Sequence, residues 1–159
     1  MGIGDRGDLE ALLTITAVPL ASSVFIAVGI AVALSWAYSA PPLRLKADGW
    51  FGNAAVGLTY EGLAWITGAV VLLGTWPDPR VITLALLYSV GAHGIMTLND
   101  FKAIEGDRQL GVWSLPVQLG PARAAKLAGI VILLPQVMAC GLLLFAWNRP
   151  THGGRADSC

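Results

Sequence analysis

The sequence predicts an all-α membrane protein with about four transmembrane helices. Hydrophobic residues make up 55% of the 159 residues, charged residues make up 13%, and the mean hydropathy is +0.67. Soluble domains carry about a quarter charged residues. Backbone groups in lipid must be hydrogen-bonded internally, so long apolar segments are expected to be helices. Four runs approach the ~20 residues that cross a bilayer, and they cover residues 16–38, 53–74, 81–98 and 124–147.

Some residues inside these runs are unusual in lipid. Glu61 lies near the middle of the second run, His93 lies in the third, and Pro135 is expected to kink the fourth. An ionisable side chain is costly in the membrane, so we expect Glu61 to face the bundle interior, to be protonated or to bind a ligand. The chain divides into a polar N-terminal segment (residues 1–15), a membrane domain (16–150) and a disordered tail (151–159).

Charge and cysteine content exclude other classes of protein. Ten basic and ten acidic residues give a net charge of zero, so no nucleic-acid binding is predicted. Cys140 lies in an apolar run and is expected to be a small buried hydrophobe, whereas Cys159 ends the polar tail. These two cysteines do not indicate a disulfide framework.

The charges of the loops predict an orientation. Six basic residues lie in or beside the first and third loops, and four lie on the other side. The positive-inside rule therefore places the first and third loops in the cytoplasm, on one membrane face. The six are Arg44, Lys46, Lys102, Arg108, Arg123 and Lys126.

A cluster of acids follows the third apolar run. Asp100 and Asp107 are seven residues apart, so they share one face if the helix continues, whereas Glu105 turns away from it. Carboxylates are hard ligands that suit a Mg²⁺ ion which also holds substrate phosphates. Lys102 and Arg108 lie among the acids. The cluster predicts a diphosphate site, and a solvated charged loop is the alternative.

Six stretches of the chain have a distinctive wording. They are residues 38–46 (YSAPPLRLK), 49–53 (GWFGN), 60–65 (YEGLAW), 91–102 (GAHGIMTLNDFK), 105–108 (EGDR) and 114–120 (SLPVQLG). These stretches resemble the UbiA-type membrane prenyltransferases, and among them the chlorophyll and bacteriochlorophyll synthase branch. The resemblance runs from about residue 30 to about residue 150. It implies that the chain forms part of a bundle of nine membrane helices.

The resemblance implies an enzyme that uses Mg²⁺, held by two Asp-rich motifs, to join a polyprenyl diphosphate to an acceptor. In this branch the acceptor is chlorophyllide or bacteriochlorophyllide, whose propionate is esterified with a geranylgeranyl or phytyl group. The acid cluster corresponds to the second motif, and Ala103 fits the pigment branch. Asn99-Asp100 is the only Asn-Asp pair in the sequence. We therefore expect the middle of such an enzyme, with the first motif and both ends missing.

The resemblance also assigns catalytic roles. Asp100 and Asp107 would hold the metal, and Lys46 would bind the diphosphate. Arg44, Lys102 and Arg108 are further candidates for diphosphate oxygens, since both kinds of basic side chain bind phosphate. The alternative for these basic residues is cytoplasmic anchoring of the membrane domain.

Three more residues are candidates for substrate binding. Tyr38 could donate a hydrogen bond to the diphosphate, or it could be an interfacial aromatic residue. Glu61 could bind substrate. His93 could contact the pigment and ligate its central Mg; a satisfied core histidine is the alternative. Aromatic faces can stabilise an allylic cation, and the acceptor carboxylate is already ionised, so no general base is required. The aromatic candidates are Trp50, Phe51, Tyr60 and Trp65.

These observations predict a multi-pass protein of the cytoplasmic or intracytoplasmic photosynthetic membrane. Its partners would be the lipid bilayer, a polyprenyl diphosphate and a chlorophyllide-type pigment. The missing helices could be supplied by a separate chain, or the chain could self-associate, and the isolated chain is expected to be unstable. The alternative function is that of a non-catalytic truncated membrane protein or a pigment-binding or assembly subunit.

Overall fold

The structure is a computed structural model that describes residues 6–146, with side chains described for residues 22–145. Within that part the chain is almost entirely helical and forms no β-strand. Four helical units are long and apolar enough to cross a membrane, which confirms the predicted fold class. The predicted tail, residues 151–159, lies outside the described residues. The four units are Ser22–Ser39, Gly49–Leu73, Pro79–Lys102 and Pro121–Phe145.

Seven α-helices build these units and the loop between the third and fourth. A π-helical segment, Leu58–Leu63, joins α2 to α3, and a second, Leu142–Ala146, follows α7. Short 3-10 turns occupy Leu45–Ala47 and Asp100–Lys102. The helices are α1 (Arg6–Ser39), α2 (Gly49–Gly57), α3 (Ala64–Leu73), α4 (Pro79–Asn99), α5 (Ile104–Leu110), α6 (Leu115–Leu119) and α7 (Pro121–Gly141).

Two spans begin at an aspartate that caps the helix. The Oδ1 atom of Asp48 accepts hydrogen bonds from the backbone N–H groups of Trp50 and Phe51, at 2.8 and 3.2 Å. Asp78 accepts from the N–H of Arg80 at 2.7 Å, and Pro79 follows it in the first turn of α4. Such side chains satisfy N–H groups that have no partner within the helix. Both spans therefore have defined ends, and the α2 end lies beside the candidate site.

The helices approach one another through small residues. α4 packs against α7 and α2, and these contacts bury Ala85, Ala124 and Ala128. A Cβ atom placed on Gly94 would lie 2.9 Å from the carbonyl oxygen of Ala128, so the two backbones leave no room for a side chain there. Close packing of small residues is the usual basis of helix association in lipid.

The outer faces of the helices are apolar and exposed. No residue of Ser22–Ser39 is buried, and Phe25 is 75% exposed. Such a surface suits hydrocarbon or neighbouring helices. Cys140 is also exposed, so the prediction of a buried cysteine is wrong: it lies on an outer face of α7. α1 begins at Arg6, well before residue 16, where the first predicted span starts. The helix therefore includes much of the predicted N-terminal segment.

Candidate functional site

Two cavities of opposite character lie next to each other. We call them the polar cavity, of about 310 Å³, and the apolar cavity, of about 580 Å³. The polar cavity is lined by Tyr38, Arg44, Lys46, Asp48, Gly49, Gly52, Asn53, Met96, Asn99, Asp100, Ala103, Asp107, Val112 and Ser114. The apolar cavity is lined by Leu34, Ser35, Tyr38, Ser39, Ala55, Val56, Thr59, Tyr60, Glu61, Ala92, Ile95 and Met96. Tyr38 and Met96 therefore border both.

Backbone contacts between the first and third loops close the polar cavity. The N–H of Gly49 donates to the carbonyl of Trp113, and the N–H of Trp113 donates to the carbonyl of Ala47, each at 2.8 Å. A Cβ atom on Gly49 would lie 2.5 Å from the backbone nitrogen of Leu115. A glycine is therefore required for the loops to meet. These bonds also confirm the prediction that the first and third loops lie together at one end of the helices.

The polar cavity combines basic and acidic side chains. Arg44 and Lys46 enter it from the first loop with exposed side chains, and Asp100 and Asp107 enter it half-buried from the end of α4 and from α5. Tyr38 lines the same space. Five of the residues selected from the sequence thus lie around one cavity.

Three charged residues of the acid-rich segment lie elsewhere. Lys102, Arg108 and Glu105 are exposed and line neither cavity. The Glu105 carboxylate accepts a hydrogen bond from the Gln109 amide at 3.2 Å. The substrate roles suggested for Lys102 and Arg108 stay predictions, and their positions match those of solvated surface residues.

The acid cluster does not continue the helix of the third span. α4 ends at Asn99, a single 3-10 turn follows, and Ala103 has φ −111° and ψ 2° before α5 begins. The expectation that Asp100 and Asp107 lie two turns apart on one helix is therefore wrong. They reach the same cavity from either side of a bend, and the small side chain of Ala103 lines the cavity between them.

An asparagine that sequence reasoning missed holds one of these acids. The Nδ2 atom of Asn53 donates to the Asp100 Oδ2 atom at 3.1 Å and to the Thr97 Oγ1 atom at 3.4 Å. Asn53 is 6% exposed. Asn53 ends the GWFGN stretch. Its polar carboxamide, at the start of an apolar run, was the sequence feature that could have identified it. Asn53 fixes the position of the Asp100 carboxylate.

Three other lining residues were also missed. Asp48 caps α2 and accepts a further hydrogen bond from the Gln118 side chain at 3.4 Å. Asn99 directly precedes Asp100 and presents an amide to the cavity. Ser114 is buried, and its hydroxyl oxygen has no hydrogen-bond partner among the described residues. Only Asn99 had a signal in the sequence, namely its place in the Asn-Asp pair.

The apolar cavity contains one carboxyl group. Glu61 is half-buried there, and it lies in the π-helical segment Leu58–Leu63 together with Thr59 and Tyr60. Single π-helical turns within longer helices are often found at functional sites. Glu61 thus faces an interior space, which agrees with the first of the three expectations for an intramembrane acid.

His93 and most of the candidate aromatic residues lie outside both cavities. The Nε2 atom of His93 lies 3.2 Å from the carbonyl oxygen of Trp50, so it links α4 to α2. Trp65 stacks on Tyr88 with ring centroids 5.2 Å apart. The position of His93 matches the alternative of a satisfied core histidine, and its role toward pigment stays a prediction. Of the four aromatic candidates, only Tyr60 lines a cavity.

The donor set can be compared with the needs of Mg²⁺. The described residues contain no group of three or more His, Cys, Asp or Glu side chains placed to hold a metal. Mg²⁺ is usually bound by one or two carboxylates together with water and substrate phosphates. Asp100 and Asp107 line one cavity and fit a metal that arrives with a phosphate ligand.

Comparison with known proteins identifies the family of the chain. The model of the UbiA prenyltransferase family matches residues 10–152. The chain belongs to the UbiA prenyltransferase family. It is accordingly an integral membrane protein whose four apolar helices form part of a UbiA bundle. No solved structure gives a significant match to the chain.

Several curated relatives of this UbiA chain are pigment synthases. It is 57% identical to the bacteriochlorophyll synthase 33 kDa chain of Cereibacter sphaeroides over 77% of its own length and 40% of that protein. The Rhodobacter capsulatus protein of the same name is 52% identical, over 84% and 44%. The chloroplastic chlorophyll synthase of Arabidopsis thaliana is 46% identical, over 75% and 30%. The chain thus spans less than half the length of these relatives.

Proposed function

We propose that this chain binds a prenyl diphosphate and takes part in its transfer to a chlorophyllide-type acceptor. One observation carries the proposal: a charged cavity and a larger apolar cavity adjoin, with Tyr38 and Met96 bordering both. A prenyl diphosphate has the same two parts, a charged head and a hydrocarbon chain. The diphosphate would lie in the polar cavity and the first isoprene units in the apolar cavity.

Recognition of the head rests on the two basic residues of the first loop. Arg44 can bond phosphate oxygens in a bidentate manner, and Lys46 adds a compact charge. Asp100 and Asp107 would hold Mg²⁺, which would neutralise charge on the departing diphosphate. Asn53 keeps the Asp100 carboxylate in place through its 3.1 Å hydrogen bond. Tyr38 lies where the head meets the tail and can donate its hydroxyl to the diphosphate.

The reaction would exchange one C–O bond for another. The bond between the allylic carbon and the diphosphate breaks, the electron pair leaves with the diphosphate, and a propionate oxygen of the acceptor bonds to the allylic carbon. The propionate is ionised at neutral pH, so no residue need remove a proton. The apolar cavity would keep water from the allylic carbon, and the ring of Tyr60 could stabilise positive charge there.

The relatives support the proposed acceptor and membrane. Proteins named bacteriochlorophyll synthase and chlorophyll synthase are 46% to 57% identical to the chain, which supports bacteriochlorophyllide or chlorophyllide as acceptor. The donor would be geranylgeranyl or phytyl diphosphate. The site would face the cytoplasm from a cytoplasmic or intracytoplasmic photosynthetic membrane.

A second candidate is a binding subunit without catalysis of its own. The fact that favours it is coverage: the chain spans 40% of the Cereibacter sphaeroides relative. Helices supplied by a separate chain would then complete the enzyme.

The test combines binding and transfer measurements on the full chain in lipid nanodiscs. Geranylgeranyl diphosphate, bacteriochlorophyllide and Mg²⁺ are added, and esterified pigment is measured by chromatography. Binding together with transfer would support the enzyme, and loss of both in an Asp100→Asn, Asp107→Asn double variant would assign them to the polar cavity. Binding without transfer would favour the binding subunit. Absence of binding would contradict both candidates.

A further inference from the structure

We propose that Ser114 is a phosphate ligand of the polar cavity, with its hydroxyl donating a hydrogen bond to an oxygen of the diphosphate. The inference rests on the proposed function and adds a residue to it. No role described so far uses the Ser114 side chain. It belongs to the SLPVQLG stretch, which lies away from the acid cluster in sequence and contains no charged residue.

The Ser114 hydroxyl is buried without a partner. The residue is 3% exposed and lines the polar cavity. Among the described residues, its Oγ atom is the one buried side-chain nitrogen or oxygen that makes no hydrogen bond. Buried polar groups nearly always have a partner, because an unpaired one loses its bonds to water without compensation. A single such atom in a residue that lines a charged cavity therefore points to a ligand-binding position.

The backbone at Ser114 is held in place. The preceding residue, Trp113, is bonded on both sides to the first loop through Ala47 and Gly49. The Ser114 carbonyl accepts from the N–H groups of Val117 and Gln118, each at 2.9 Å. The Ser114 Cα atom is therefore fixed where the third loop meets the first, beside the polar cavity.

The polar side chains nearby bond to one another and not to Ser114. The Gln118 amide donates to the Trp113 carbonyl and, at 3.4 Å, to the Asp48 carboxylate. The Asp48 Oδ1 atom accepts from the first turn of α2. The Ser114 hydroxyl takes part in none of these bonds and is available to an occupant of the cavity.

The donors of the cavity suit a phosphate as that occupant once Asp100 and Asp107 hold Mg²⁺. Arg44 and Lys46 can then attract an anion, and a hydroxyl can donate to it. The oxygens of a diphosphate are mainly acceptors, so they complement the donors on both sides of the cavity. Ser114 lies on the third loop and the two basic residues lie on the first. The diphosphate would therefore be held between the two loops.

The experiment compares two buried serines in the full chain, purified in dodecyl maltoside with Mg²⁺ present. In Ser114→Ala we expect affinity for inorganic pyrophosphate to fall about tenfold, since hydrogen bonds to charged groups are among the strong ones. The unfolding temperature should stay the same or rise, because an unpaired hydroxyl has been removed. Titration calorimetry and thermal unfolding give the two readouts.

Ser89→Ala is the matched control. Ser89 is also buried, but its hydroxyl donates to the Ala85 carbonyl at 2.9 Å and it lines neither cavity. Its loss should leave pyrophosphate affinity unchanged. Only Ser114→Ala is thus expected to lose affinity, which a general effect of removing a buried hydroxyl would not produce.

Several outcomes would overturn the inference. Equal pyrophosphate affinity in wild type and Ser114→Ala would show that the hydroxyl is not a ligand. A lowered unfolding temperature in Ser114→Ala, with affinity unchanged, would assign it a structural role. If dioleoyl phosphatidic acid displaced pyrophosphate with the same affinity as geranylgeranyl diphosphate, the cavity would bind lipid phosphates in general and not a prenyl diphosphate. Failure of the wild-type chain to bind pyrophosphate at all would instead contradict the proposed function.

Discussion

The two cavities are built in different ways. The polar cavity joins residues that are distant in sequence, through the backbone pairing of Asp48 with Trp113 and the hydrogen bond from Asn53 to Asp100. The apolar cavity is formed by the faces of α1, α2 and α4 and by the π-helical segment, with few specific bonds. A charged head needs donors at fixed places, whereas a hydrocarbon chain needs only shape and exclusion of water. The contrast predicts that substitutions will separate affinity for the head from affinity for the tail.

The largest effect is expected at the metal-binding carboxylates. Asp107→Asn should weaken Mg²⁺-dependent binding of geranylgeranyl diphosphate by about a hundredfold, because one of the two carboxylates that would hold the metal is lost. The measurement is a titration with the fluorescently labelled diphosphate. Glu105→Gln is the control, since Glu105 is exposed and lines neither cavity. An equal loss in both variants would mean that general surface charge, and not the cavity, attracts the ligand.

The next effect concerns the junction that closes the polar cavity. Gly49→Ala should destabilise the chain by about 1–3 kcal/mol, because overpacking forces the backbone apart. The new Cβ would lie 2.5 Å from the Leu115 nitrogen. Thermal unfolding in detergent measures the loss, and pyrophosphate affinity should fall with it.

Gly68→Ala provides the comparison for that glycine. Gly68 lies in α3, and a Cβ there would meet nothing within 4 Å. Alanine is the better helix former by about 0.8–1.0 kcal/mol, so this variant should be neutral or more stable. If Gly49→Ala were as stable as Gly68→Ala, the result would contradict the close approach of the first and third loops at Gly49.

The sequence predicted the helices better than it predicted the site. The four spans were predicted from apolar runs, because contact with lipid favours apolar side chains along the whole length of a helix. Arg44, Lys46, Asp100 and Asp107 were found because charges beside apolar runs are conspicuous. The bend at Ala103 was not foreseen, because a helix could have continued through that segment on local preference alone.

Asn53 and Ser114 could not be found in the same way. Each is a small polar residue whose importance depends on its surroundings in the fold and not on its neighbours in sequence. Asn53 is paired with an acid forty-seven positions away, as the bond to Asp100 shows. Ser114 is informative only because its hydroxyl lacks a partner. Local pattern carries information on lipid exposure and charge, but not on which polar atoms meet.

A smaller effect is expected when the Asp100 carboxylate loses its support. Asn53→Ala should weaken Mg²⁺-dependent pyrophosphate binding by about tenfold, since a buried hydrogen bond to a charged group is worth about 1.5–3 kcal/mol. Asn53→Asp should be worse, because it places a second negative charge 3.1 Å from the Asp100 carboxylate in place of a donor. Isothermal titration at several Mg²⁺ concentrations measures both. Binding in Asn53→Asp that equals or exceeds that in Asn53→Ala would contradict the positioning role.

The smallest effect should appear on the tail side alone. Ala92 lines the apolar cavity and not the polar one, so Ala92→Leu fills space that the isoprene units would occupy. Affinity for geranylgeranyl diphosphate should fall about fivefold, which corresponds to about 1 kcal/mol, while affinity for inorganic pyrophosphate stays unchanged. Ala54→Leu adds the same volume on an exposed face of α2 that lines neither cavity, and should alter neither affinity. If Ala92→Leu weakened both ligands equally, the two cavities would act as one space and the division between head and tail would fail. If it weakened neither, the hydrocarbon chain would lie elsewhere, against the exposed faces of the helices, and the apolar cavity would be left for the acceptor.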